Sequence, residues 1–253
     1  MKSLLPRCIT AARQLSRPTP PLFLDFLAPS ILQPGSQRRL SSTSSQPQDA
    51  SQQSQTSRSP TKYRLNRSQR EFLDSALRVN QAGELAATRI YTAQTSPVVR
   101  SHPHLRPLMK HMYDQEAGHF STFNNLIAKH RVRPTAMYPV WQAASSFLGW
   151  STGVMGREAA MACTEAVETE IGSHYNEQVR EILSWAAEAE RQGEELDDEL
   201  NEMLEMLRRT RDEELEHLDH AVENDAKEAR PYDPLVNAIR LGCRAAIKIS
   251  ERV

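Results

Sequence analysis

The stretch "RDEELEHLDHA", Arg211 to Ala221, decides how the rest of the chain is read. It is built of strong helix formers, without Gly or Pro, and carries leucines at 215 and 218. The stripe that precedes it, Leu200, Leu204 and Leu207, continues by threes and fours onto Glu214 and then onto His217 and Leu218. An unpaired charge costs several kcal/mol to bury. A helix that turns a carboxylate and an imidazole inward therefore needs something in the core to receive them.

The same interruption recurs upstream. Periodicity predicts a first helix from Ser68, with Ser68-Gln69-Arg70-Glu71 as a capping box and a stripe through Leu73, Leu77, Asn80, Glu84, Ala87 and Tyr91. A second helix follows Pro103 and Pro107, with Met109, Met112, Glu116, His119 and Phe123 in line. A third begins near Arg157 and carries Met161, Glu165 or Thr164, Glu168, Ile171, Tyr175 and Val179. The fourth spans about residues 198–224. No alternating strand run stands out, and four helices of this length predict an all-α, ferritin-like four-helix bundle with additional helices.

The inward acids come in an order: Glu84, then Glu116-x-x-His119, then an acid on the third helix, then Glu214-x-x-His217. A spacing of three puts both members of each pair on one helical face. Either pair alone is equally well explained by a solvated helix face. The conjunction is not, because every member falls on an apolar stripe, one constellation per helix. Two lone glutamates and two such pairs make the ligand set that a dinuclear iron or manganese site takes from a bundle. Periodicity leaves Glu165 and Glu168 both open on the third helix.

Composition excludes several alternatives. Residues 1–59 hold seven Lys/Arg against Asp25 and Asp49, and the remainder twenty-four against thirty acids, so no basic stripe for nucleic acid is present. Cys8, Cys163 and Cys243 form neither a disulfide framework nor a zinc-finger pattern. Residues 1–40 have the Arg-, Ser- and Leu-rich composition of a mitochondrial transit peptide, with a processing-type "RRLSS" at 38–42. Residues 41–66 read as a disordered Ser/Gln-rich linker.

The segments "RVNQAGELAATRIY" (78–91), "DQEAGHF" (114–120), "CTEAVETEIGSHYNEQ" (163–178), "RDEELEH" (211–217) and "GCRAAIKISER" near the end resemble the mitochondrial 5-demethoxyubiquinone hydroxylases of coenzyme Q biosynthesis. The resemblance covers about residues 67–253, which it marks as the di-iron domain. It implies Glu84, Glu116, His119, Glu168, Glu214 and His217 as metal ligands, settling the third helix on Glu168. It further implies two iron ions, dioxygen as co-substrate, NADH as a candidate electron donor, and monooxygenation of a polyprenyl benzoquinol ring. A peripheral position on the matrix side of the inner membrane, other coenzyme Q proteins including a lipid-binding partner, and homo-oligomerisation belong to the same expectation. No Gly-x-Gly-x-x-Gly follows a strand, so the nucleotide is not expected to bind in a Rossmann manner. The acid-rich segment Glu188 to Glu205 lengthens the Glu168–Glu214 interval and leaves that connection open.

Other residues carry lesser expectations. Tyr175 and its neighbour His174 are candidates for a redox or hydrogen-bonding role beside the metals. Asp114, Asp212 and Asn80 are candidates to orient the metal-bound imidazoles. His111, His130 and His220 read as ordinary helix or loop residues. The uncharged segment 134–156, with Trp141, Phe147, Leu148 and Trp150, reads as an interfacial helix on a bilayer or as a helix packed on the bundle. Leu235 to Ile249, with Arg240, Arg244 and Lys248, suits either a membrane surface or a fifth packing helix. Two further functions share the bundle: a ferritin-like iron-oxidising protein, and a metal-free scaffold of a coenzyme Q assembly.

Overall fold

A computed structural model describes residues 61–253. The transit peptide expected over residues 1–40 and most of the linker lie outside the described residues. The last residues of that linker are ordered: β1 (Thr61–Lys62) pairs in parallel with β2 (Glu194–Glu195), and Tyr63 is buried.

Six helices follow: α1 (Arg67–Ser101), α2 (Arg106–Lys129), α3 (Tyr138–Met155), α4 (Arg157–Gln192), α5 (Asp198–Glu223) and α6 (Tyr232–Ser250). The long helices α1, α2, α4 and α5 make the ferritin-like bundle, two hairpins joined by a crossover that contains α3. The capping box sits two residues earlier than the sequence suggests. Asn66 accepts from the Gln69 amide at 2.9 Å, and the Gln69 side chain accepts from the Asn66 amide at 2.8 Å. Asn caps at least as well as Ser, and Gln serves at the fourth place as Glu does. Ser68 instead donates to the Asn66 side chain, and Glu71 pairs with Arg67.

The acid-rich segment resolves into helix. Gly193, at φ 71°, ends α4 in the left-handed conformation that favours glycine, and Asp197 caps α5 by accepting from the Leu200 amide at 2.7 Å. Only five residues, Gly193 to Asp197, connect the two helices. Their acids face solvent while Leu196, Leu200, Met203 and Leu204 enter the core.

The apolar core is divided in two. Leu77, Phe123, Val179, Ile182 and Leu207 belong to one cluster; Ile90, Met109, Met112, Met161 and Ala221 belong to the other. On α1, α2 and α5 the inward acids and histidines fall between residues of the two clusters. On α4, Glu168 follows Val167 of the second cluster and precedes Tyr175 of the first.

Both additional helices pack on the bundle. In α3, Ser145, Gly149, Thr152 and Gly153 are buried, while Phe147, Trp150, Val154 and Met155 remain exposed. Trp141 is turned inward and donates to Ser250 on α6 at 2.9 Å. On α6, Arg240 and Arg244 are drawn to Glu170 of α4 at 2.6–2.8 Å, so they serve packing and do not extend into solvent as free cations. Among the described residues no helix is long and apolar enough to cross a membrane.

The α1–α3 contact depends on missing side chains. A Cβ at Gly149 would lie 2.4 Å from the Ile90 carbonyl oxygen, and one at Gly153 would lie 2.7 Å from Pro97 and 3.1 Å from the Gln94 Cα. Gly149→Ala is expected to lower stability by about 1–3 kcal/mol or more, because the obstacle is backbone. Gly118→Ala meets nothing within 4 Å on the exposed side of α2 and should be neutral or stabilising by up to about 1 kcal/mol. Thermal unfolding of the two variants beside the parent checks the contrast.

Candidate metal centre

The bundle brings all six sequence-predicted ligands into one layer. Glu84, Glu116, His119, Glu168, Glu214 and His217 come from four helices, and none is more than 7% exposed. They form two overlapping groups. In one, atoms of Glu84, Glu116, His119 and Glu214 all lie within 4.8 Å of one another; in the other, atoms of Glu116, Glu168, Glu214 and His217 do so. Glu116 and Glu214 belong to both. Glu165 does not enter the layer; it is held by Lys227 and Tyr232 at the far side of α4.

The two imidazoles are oriented alike. His119 Nε2 meets Glu213 at 2.5 Å and His217 Nε2 meets the Gln115 side-chain oxygen at 2.9 Å. Both partners are acceptors, which assigns the proton to Nε2 and leaves Nδ1 facing the layer. There His119 Nδ1 lies 3.5 Å from Glu84 and 3.2 Å from Glu214, and His217 Nδ1 lies 3.0 Å from Glu116 and 3.5 Å from Glu214. Two tyrosines orient carboxylates: Tyr91 donates to Glu168 Oε1 at 3.0 Å, and Tyr175 donates to Glu84 Oε1.

The remaining atoms decide what the layer is for. Glu84 Oε2, both oxygens of Glu116, His119 Nδ1, Glu168 Oε2, both oxygens of Glu214 and His217 Nδ1 are buried and make no aligned hydrogen bond. Stranding so many polar atoms is costly in a native core. They fit cations, since each is a lone-pair donor and the mixture of carboxylate and imidazole suits iron or manganese. Protonation shows the same strain. Burial, then the neighbouring carboxylates, push Glu116 and Glu168 well above the usual carboxylate range, and burial leads the upward shift of Glu84. Glu214 is the exception: burial opposes its ionisation, but the His119 and His217 imidazoles facing it at 3.2 and 3.5 Å hold it at about 2. Burial likewise works against the His119 imidazolium, yet the nearby Glu214 and Glu84 carboxylates raise it to about 12.

Sequence reasoning missed three of the four orienting groups. Gln115, Glu213 and Tyr91 hold His217, His119 and Glu168, whereas Asp114 and Asp212 pair on the surface with Lys110 and Arg211, and Asn80 exchanges hydrogen bonds with Gln178. Gln115 and Glu213 each immediately precede a ligand, a position that helical periodicity places off the buried face. His174 also departs from expectation. It does not reach the metal layer but lines an apolar cavity of about 510 Å³ between α1, α3, α4 and α6, with Ile90, Leu148, Ile171 and Ile239 in its walls. Tyr175 lines the same cavity and touches Glu84, so the cavity ends against the metal layer.

The sequence profile described as ubiquinone biosynthesis protein COQ7 matches residues 71–250. A protein of Saccharomyces cerevisiae named 5-demethoxyubiquinone hydroxylase, mitochondrial, is 43% identical over 195 residues, covering 77% of this chain and 84% of its own. The NADPH-dependent 3-demethoxyubiquinone 3-hydroxylase, mitochondrial, of Rattus norvegicus is 41% identical, covering 74% and 81%. The 3-demethoxyubiquinol 3-hydroxylase of Rhodospirillum rubrum is 40% identical, covering 72% and 79%.

His174 makes the cavity testable through pH. Burial, with Glu251 opposing and Lys248 assisting, lowers its imidazolium to about 4 from 6.5. The unfolded chain therefore binds a proton between those values that the folded chain refuses. The stability this group allows is full above pH 6.5 and falls as pH drops toward 4, by at most about 3 kcal/mol. Replacing His174 by Leu should flatten that part of the stability–pH curve, measured by denaturant unfolding from pH 7 to 4.

Proposed function

The chain belongs to the ubiquinone biosynthesis protein COQ7 family, and on that premise we propose that it is a 3-demethoxyubiquinol 3-hydroxylase working through a dinuclear iron centre. The observation that carries the proposal is the pair of overlapping ligand groups that share Glu116 and Glu214. In this reading Glu84, Glu116, His119 and Glu214 would hold one ion, and Glu116, Glu168, Glu214 and His217 would hold the other. Bound there, two ferrous ions supply the electrons that activate dioxygen. One oxygen atom enters the quinol ring in place of hydrogen, the other leaves as water, and two electrons must be restored per turnover.

The chain's own residues bind and orient. The apolar cavity accepts a polyprenyl benzoquinol, its ring at the Tyr175 end and its tail along α3 and α6. Hydrocarbon walls exclude water from the ring. Tyr175 lies between ring and Glu84, where its hydroxyl fixes that carboxylate and stands in reach of a ring oxygen. His174 is kept neutral by burial; its Nε2, which has no partner, is a hydrogen-bonding group for the same ring. Reducing equivalents come from a nicotinamide nucleotide. The Rattus norvegicus relative is named NADPH-dependent, whereas the resemblance implies NADH as a candidate donor, and passage through the quinone itself needs no nucleotide fold on this chain.

A lipid with so long a tail is delivered from a membrane. The exposed Phe147, Trp150, Val154 and Met155 of α3 lie on the helix whose other face includes the cavity's Leu148, and they suit the acyl boundary of the mitochondrial inner membrane. The apolar cavity favours this reading over a ferritin-like iron-oxidising protein, which needs none.

Metal analysis after anaerobic ferrous loading should find about two irons per chain. Glu214→Ala with His217→Ala should lose most of that iron, together with quinol hydroxylation followed by mass spectrometry. A folded parent that holds no iron would sink the proposal. Loading should also release protons. Glu84, Glu116, Glu168, His119 and His217 all keep protons more tightly than usual in the metal-free protein, so iron affinity should weaken as pH falls. A pH indicator in weakly buffered solution reads the release.

A further inference from the structure

The seam between α2 and α5 continues past the buried layer. The helices run antiparallel, so His119 faces Glu213 and Glu214, while Gln115 and Glu116 face His217. One turn further, His111 of α2 meets His220 of α5, ring centroids 6.3 Å apart. Glu216, one turn before His220, brings a carboxylate oxygen within 3.6 Å of its Nε2. A ligand atom from each of His111, Glu216 and His220 lies within 4.8 Å of the others.

We propose that His111, Glu216 and His220 form a surface site for a divalent transition-metal ion, through which ferrous iron is loaded into the buried centre. The loading role rests on the dinuclear reading of that centre. Two imidazoles and one carboxylate suit first-row divalent ions, and they leave coordination positions for water. Unlike the buried ligands, all three are at least partly open to solvent, so a hydrated ion reaches them directly. The site lies about one helical turn from the buried layer, since His220 follows His217 by three residues and His111 precedes Glu116 by five. Between the two sits Gln115, whose side-chain oxygen already touches His217. The opposite approach, from α1, α3 and α6, runs through the apolar cavity and is unsuited to a hydrated dication.

The test uses the full chain and its His111→Ala, His220→Ala variant, with circular dichroism as the check on folding and His220→Gln as a milder second variant. Iron-loaded protein is titrated with Zn2+, and both metals are counted. The parent should gain about one zinc without losing iron, and the double variant should bind that zinc roughly tenfold more weakly or worse. Stopped-flow loading of the metal-free protein at limiting Fe2+ should be several-fold slower in the variant, with the same final iron content. Equal zinc uptake by parent and variant overturns the site, and equal loading rates overturn its role. A parent that takes up no iron at all defeats the dinuclear reading instead, while zinc uptake by the two proteins still decides whether the surface site exists.

Discussion

Four carboxyl groups and two imidazoles share one buried layer of the bundle, and the rest of the structure is arranged around neutralising them. Several buried carboxylates at this spacing repel one another, and low local polarity makes each one expensive to ionise. The chain's own groups meet the difficulty with protons, holding three glutamates above their ordinary range and Glu214 below it, between His119 and His217. Two divalent cations meet it completely, since their four positive charges balance four carboxylates and let both histidines be neutral ligands. The stability of the layer is thus tied to what it binds. Because the layer lies between two apolar clusters, with Ile171 packed against both, little hydrocarbon is available within it to compensate.

The buried acids and histidines were legible in the sequence because a buried acid breaks an apolar stripe, and helical spacing preserves the break. Glu-x-x-His on α2 and α5 places both members on one face, which local periodicity captures without any knowledge of the fold. The choice between Glu165 and Glu168 was not legible that way, since both are buried and lie nearly one turn apart. It depends on which carboxylate meets Tyr91 and which meets Lys227 and Tyr232, a difference created by packing between helices. Gln115 and Glu213 were invisible for a related reason. Each acts across the α2–α5 seam, and no single helix shows what its neighbour presents there. His174 and Tyr175 are adjacent, so their side chains leave α4 about 100° apart. Only Tyr175 reaches the metal layer.

The segment 134–156 shows how composition can be right about exposure and incomplete about packing. Its uncharged sequence serves two surfaces at once. Small residues at Ser145, Gly149 and Gly153 let α3 approach α1 closely, while Phe147 and Trp150 remain outside. That division places a cavity wall and an exposed apolar patch on the same helix. A protein that only oxidised and stored iron would have no use for either, whereas a hydroxylase of a membrane-borne quinol needs both.

The two sides of the bundle therefore do different chemical work. On the α1, α3 and α6 side, hydrocarbon surface leads to Tyr175 and Glu84, a path that favours a lipid and excludes hydrated ions. On the α2 and α5 side, His111, Glu216, His220, Gln115 and Glu213 lead to His217 and His119, a path with a polar group at each turn. A single shared opening could not serve both, because ligands able to strip water from a dication would also strand buried polar atoms against a polyprenyl tail. Opposed approaches remove that conflict, and Glu116 and Glu214, which belong to both ligand-atom groups, lie between them.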